Sequence, residues 1–95
     1  MARSKVVVAR LIIDRAIVDK INEKHRLTAA EVREAVVYAR DTATEWQEDQ
    51  EHGRRLVARG TTYRGRAVIA YMTPLNPNDE EEGTFKLSTA IAEPL

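Results

Sequence analysis

The chain is 95 residues long, with 15 Lys or Arg set against 15 Asp or Glu and no cysteine. That length suits one domain with one modest core. Without cysteine there is no disulfide framework, no thiolate nucleophile and no cysteine-ligated zinc, and a net charge of zero, taken as a sum, argues against a nucleic-acid binder.

The distribution of charge says more than the sum. Residues 1 to 40 hold nine Lys or Arg and five acids, residues 41 to 51 hold five acids and no base, and residues 53 to 66 hold five arginines and no acid. A four-acid run, "DEEE", occupies residues 79 to 82 and reads as a solvated loop. The longest apolar runs are too short to span a bilayer. The opening "MARSKVVVARLIIDR" has basic residues before an apolar stretch, but Arg10 interrupts it and no small-residue cleavage site follows. A soluble, cytoplasmic protein of one domain, residues 1–95, is the expectation, with no membrane partner.

In chain order, "KVVVARLIID" is rich in β-branched residues and reads as a strand whose all-apolar side, Val7, Ala9, Leu11 and Ile13, faces the core. Asp14 is placed to cap a helix over residues 15 to 25. Ile17 and Ile21 form its apolar row, and His25 continues that row to the edge of the buried face. "TAAE" at Thr28–Glu31 has the form of a capping box, which starts a second helix from Ala29 to about Arg40 with the stripe Val32, Ala35, Val36 and Ala39. Only Arg26 and Leu27 connect the two helices.

Past Arg40 the period changes. "TATEWQED" fits a strand or a loop, with Trp46 as anchor. "RLVARGTTY" and "RAVIAYMT" read as two strands joined across Arg64 and Gly65, where glycine can supply positive φ. Pro74 and Pro77 end the second of these. "NPNDEEEG" is a loop, and "TFKLSTAIA" is a last strand with Phe85, Leu87, Thr89 and Ile91 on one side. The expected fold is therefore α+β: an N-terminal strand, two short helices, then a three- to four-stranded antiparallel sheet with the helices on one face.

No nucleophile elbow, phosphate-binding glycine loop or HExxH motif is present. His25 and His52 lack metal-ligand spacing to nearby acids, so neither a metal nor any other cofactor is expected. What remains is a cationic set. Lys24, His25 and Arg26 lie at the helix joint; Arg54, Arg55, Arg59, Arg64 and Arg66 lie on or beside the hairpin. Strand alternation puts Val57, Arg59 and Thr61 opposite Leu56 and Ala58, so Arg59 projects away from the helices. Such a set suits RNA cleavage, because the substrate's own 2′-hydroxyl is the nucleophile and the protein supplies a base, an acid and positive charge. An imidazole can serve as base or acid near neutral pH, and arginine forks match phosphate. The plainer readings stand beside these: a histidine and a lysine favoured by the dipole at a helix C-terminus, and hairpin arginines that keep a sheet soluble. Tyr63 and Tyr71 are candidates to stack on a base.

"INEKHRLTAAEV" resembles the N-x-x-K-H-g-v-(s/t)-x-x-E segment of the BrnT-type toxins, through Asn22, Lys24, His25, Leu27, Thr28 and Glu31. "RRLVARGTTYRGRAVIAYMT" is similar to that family's glycine- and arginine-marked hairpin, through Arg55, Gly60, Thr62, Gly65 and Arg66. The likeness spans residues 12 to 92. It implies a RelE-like fold and a ribonuclease toxin of a type II toxin–antitoxin pair, a bacterial inhibitor of translation or growth held inactive by a cognate antitoxin. It implies Lys24, His25 and Arg59 as catalytic candidates, and Arg26, Arg55, Arg64 and Arg66 as contacts to RNA. Two positions depart from the family: Arg26 stands where glycine is usual, and Ile91 where an arginine is expected. A catalytically degenerate interaction domain on the same fold is the alternative, and the sequence leaves open a homodimer or a toxin–antitoxin hetero-oligomer.

Overall fold

In a computed structural model of the chain, the described residues are 6–51, 53–76 and 78–93. His52, Pro77 and the first residue of the expected N-terminal strand lie outside them. The elements in order are strand β1 (Arg10–Ile12), helices α1 (Arg15–His25) and α2 (Ala29–Arg33), strands β2 (Ala43–Asp49), β3 (Gly53–Thr61) and β4 (Ala67–Thr73), a helical turn α3 (Asp79–Glu82), and strand β5 (Thr84–Ala92). Helix α2 runs on into a π-helical turn, Glu34–Tyr38. Among the described residues, no helix is long and apolar enough to cross a membrane.

The α+β class is as expected, but the sheet has five strands in the order β1-β5-β4-β3-β2. Strands β2 to β5 pair antiparallel with their neighbours, as short turns require. The correction is β1, which joins the same sheet parallel to β5, Leu11 opposite Phe85. The chain crosses over through α1 and α2 before returning to the sheet, and a parallel pair needs such a crossover.

Alternation in the first strand is also corrected. Val8 and Leu11 are buried and Val7 is 63% exposed. The amides of Ala9 and Arg10 both donate to the carbonyl of Gly83, at 2.8 and 3.0 Å. Two consecutive amides on one acceptor break the two-residue period, and only Arg10–Ile12 remain a strand. Gly83, at φ 74°, permits this, since a Cβ there would stand 2.6 Å from the carbonyl oxygen of Val7.

The core lies between the helices and one sheet face: Ile21, Leu27, Val32, Ala35 and Val36 against Leu56, Ala58, Val68, Ala70, Met72, Phe85, Leu87 and Ala90. Burying a side chain such as Phe85 or Leu56 contributes on the order of 1.5–3 kcal/mol each. The capping box of α2 is formed, with Glu31 N–H donating to Thr28 Oγ1 at 3.1 Å and Thr28 N–H to Glu31 Oε1 at 3.1 Å. The second helix ends at Tyr38 instead of Arg40, its last turn widened. Its terminal carbonyl at Ala35 accepts from the Thr42 hydroxyl at 2.6 Å. Gly60 lets helix and sheet meet here, because a Cβ would fall 1.9 Å from the Ala35 oxygen.

Three further expectations need correction. Asp14 does precede α1, but its side chain makes no cap hydrogen bond and pairs instead with Lys86 at 2.8 Å. The acidic run is a helical turn whose first residue, Asp79, is buried and accepts from the amides of Leu75 and Asn76, both at 2.8 Å. In β5, the register steps from Leu87 opposite Met72 to Thr89 opposite Tyr71, skipping Ser88. This bulge reverses the phase, so Phe85 and Leu87 face the core with Ala90, while Ile91 is 38% exposed on the other side.

Candidate functional site

Helix α1 ends at Lys24 and His25 because the next residue turns left-handed. Arg26 has φ 50° and is the one non-glycine among the described residues with positive φ. Its amide donates to Asn22 O at 2.9 Å and the Leu27 amide to Ile21 O at 3.2 Å. A left-handed residue whose amide bonds back four residues is an αL helix stop, a place that glycine usually holds. Leu27 then drops into the core, fully buried.

The hairpin between β3 and β4 reaches this corner. Gly65 N–H donates to Thr62 O at 2.9 Å, closing a turn with Tyr63 and Arg64 at its tip, and Gly65 has φ 87°. The Tyr63 amide donates to Glu34 Oε1 at 3.1 Å, so the turn is tied to the second helix as well as to its own strands. Thr62 is buried, and its hydroxyl accepts from the Arg66 amide at 3.0 Å.

Arg66 closes the joint. It is buried, and its guanidinium donates to three backbone carbonyls: Nη2 to His25 O at 2.6 Å, Nη1 to Arg26 O at 2.9 Å, and Nε to Glu93 O at 2.9 Å. Glu31 Oε2 lies 3.6 Å from Nη1 and balances its charge. Arg66 therefore caps the C-terminus of α1 from another element, satisfying carbonyls that a helix end leaves open. It holds the His25–Arg26 backbone in place, and its donors are directed inward. The resemblance implies Arg66 as a contact to RNA; in this structure its guanidinium is taken up by these backbone carbonyls.

A groove of about 660 Å³ opens over this joint, bordered by Arg26, Glu31, Glu34, Tyr63, Arg64 and Glu93 among others. Its acids are engaged: Glu31 by the capping box, Glu34 by the Tyr63 amide, and Glu93 by the Ala67 amide at 3.2 Å. Among the described residues, Arg26 and Arg64 are exposed and make no ion pair. Lys24 is exposed and His25 half-buried on the last turn of α1.

The other expected residues are elsewhere. Leu56 and Ala58 face the helices, so Arg55, Val57 and Arg59 face away from them. Arg59 donates to Glu45 Oε1 across β2–β3 at 2.8 Å. That hydrogen bond, and then the guanidinium's charge, hold the Glu45 carboxyl below its ordinary range. The Arg55 guanidinium lies 4.4 Å from the centroid of Tyr71. Arg54 covers Trp46 at 3.8 Å and pairs with Glu80 at 3.1 Å, and Trp46 packs near Phe85 with centroids 6.1 Å apart. The sheet thus separates Arg55 and Arg59 from the helix that carries His25. A shared pocket for His25 and Arg59, as the cationic set and the resemblance suggest, is not formed.

Sequence reasoning missed Glu34 and the anchoring role of Arg66. One signal was present: a Lys-His-Arg helix end without glycine, beside an arginine following a turn glycine. Comparison of the chain with protein-family models, with curated proteins and with solved structures finds no match.

Proposed function

We propose that this chain is a toxin-type endoribonuclease domain of RelE-like architecture, working as half of a toxin–antitoxin pair, with its reactive corner at the α1 end. The observation that carries this reading is that Arg26 and Arg64, two exposed guanidiniums without acid partners among the described residues, border one groove at the joint that follows Lys24 and His25 in the chain, although those two residues do not line it. His25 accepts the proton of an RNA 2′-hydroxyl as the 2′-oxygen bonds to the adjacent phosphorus. The bond from phosphorus to the 5′-oxygen breaks, leaving a 2′,3′-cyclic phosphate, and the leaving oxygen takes a proton from Lys24 or water. Arg26 and Arg64 stabilise the charge that builds on the phosphorane oxygens. No metal or other cofactor enters this scheme.

The test is incubation of the pure, partner-free protein with RNA at low salt. Cleavage that is lost in His25→Ala and cut on the order of 100-fold in Arg64→Ala, with both variants folded, supports the assignment. Cleavage indifferent to His25→Ala overturns it. The second reading, a non-catalytic protein-interaction domain, is favoured by one feature: the groove's three guanidiniums face three carboxylates, so its formal charge balances. A folded wild type that cuts no RNA but binds a cognate antitoxin would establish that reading instead.

A further inference from the structure

Resting on the assignment of the groove to RNA, we propose that Tyr63 is the base-stacking residue that selects single-stranded substrate. Of the other aromatic residues, Trp46 and Phe85 pack together, Tyr71 lies under Arg55, and Tyr38, though 61% exposed, ends the second helix and does not line the groove. Tyr63 differs, being 74% exposed at the tip of a turn. That turn is built to stay put. Its carbonyl–amide closure, the buried Thr62, the positive φ of Gly65 and the bond from the Tyr63 amide to Glu34 all restrain it. An aromatic ring on a restrained backbone loses little freedom when it binds. Arg64 follows it in sequence, and Arg26 stands on the same groove.

Charge balance makes the ring matter. A groove in which carboxylates match guanidiniums gains little from counterion release, which is the main source of affinity in most nucleic-acid binders. Stacking on Tyr63 must carry a large share of the binding. It is available only when the base is not already stacked in a duplex. The ring takes a base while Arg64 and Arg26 take the adjoining phosphates.

The experiment uses a labelled hexadeoxynucleotide, which has no 2′-hydroxyl and so cannot be cut, with fluorescence anisotropy on the whole chain. Wild type is expected to bind with a shallow salt dependence, a log–log slope of about −1.4 for two phosphate contacts. Tyr63→Ala should weaken binding roughly 5- to 150-fold, and Tyr63→Trp should retain it. A duplex of the same length should bind poorly. Equal binding by Tyr63→Ala and wild type, equal binding of duplex and single strand, or no binding by wild type would each overturn the proposal. The catalytic reading fails separately: Tyr63-dependent binding without cleavage of the ribonucleotide version refutes the nuclease alone, and cleavage with binding indifferent to Tyr63 refutes stacking alone.

Discussion

Arg66 and Arg59 stand seven positions apart around one hairpin, and the structure treats them in opposite ways. Arg66 is buried beneath the helix joint with its guanidinium spent on three carbonyls. Arg59 lies in the open on the far face of the sheet, held by one carboxylate. The joint is tied by backbone carbonyls that accept from a side chain of another element; the far face carries cross-strand pairs such as Arg59–Glu45. Arginine in a hairpin is a weak signal by itself. What it does depends on which side of the strand it leaves and on whether a helix end waits there.

The largest expected effect breaks this contrast at its stronger side. Replacing Arg66 with methionine removes the donors to the carbonyls of His25, Arg26 and Glu93 and the cation beside Glu31. Stability should fall by about 3–5 kcal/mol in denaturant titration. Arg59→Ala should leave the denaturation midpoint essentially where it is, since exposed pairs carry little. Equal losses for the two variants would dissolve the distinction.

Next in size is Gly60→Ala, which forces a methyl group against the Ala35 carbonyl oxygen and should cost about 1–3 kcal/mol. Unlike Arg66→Met, it pushes the second helix off the sheet without touching the α1 end. It should therefore lower stability while any activity at the joint survives below the melting point.

A smaller change sharpens the joint itself. Arg26 holds a left-handed conformation that costs a non-glycine residue about 1–2 kcal/mol, while glycine there costs about 0.5–1 kcal/mol in chain entropy. Arg26→Gly should thus raise the melting temperature slightly. If Arg26 serves the substrate, the same variant should lose activity, a trade of stability against function at one residue.

The smallest effect lies on the open face. The Glu45 carboxyl is depressed in the folded chain by Arg59. The stability linked to it is complete above the unfolded carboxylate range and is lost as pH falls through the depressed value. Carboxyl-detected NMR titration should show Glu45 moving back up in Arg59→Ala. An unchanged titration would mean that the pair is not held in solution.

Much of this architecture was legible in the residues. The helix pair, the capping box at Thr28–Glu31, the Gly65 turn and the alternation of β3 follow from local rules that tertiary contacts did not override. The exceptions share a cause, namely backbone adjustments that add or shift a single residue. The Ser88 bulge turned Ile91 outward, and the paired amides on Gly83 O rotated the first strand. Nothing local announces either. The candidate site was half legible. Lys24, His25 and Arg26 could be placed at a joint from spacing alone, but only the fold reveals that Arg66 is consumed in holding them and that Arg59 is across the sheet.

The proposed chemistry belongs to the helix joint and not to the open sheet face. The direct measurement is the initial rate of RNA cleavage by pure His25→Ala, Arg64→Ala and Arg59→Ala, each checked for folding, against wild type. Chemistry at the joint requires loss in the first, a strong reduction in the second and an unchanged rate in the third. A folded Arg59→Ala as inactive as His25→Ala would contradict it.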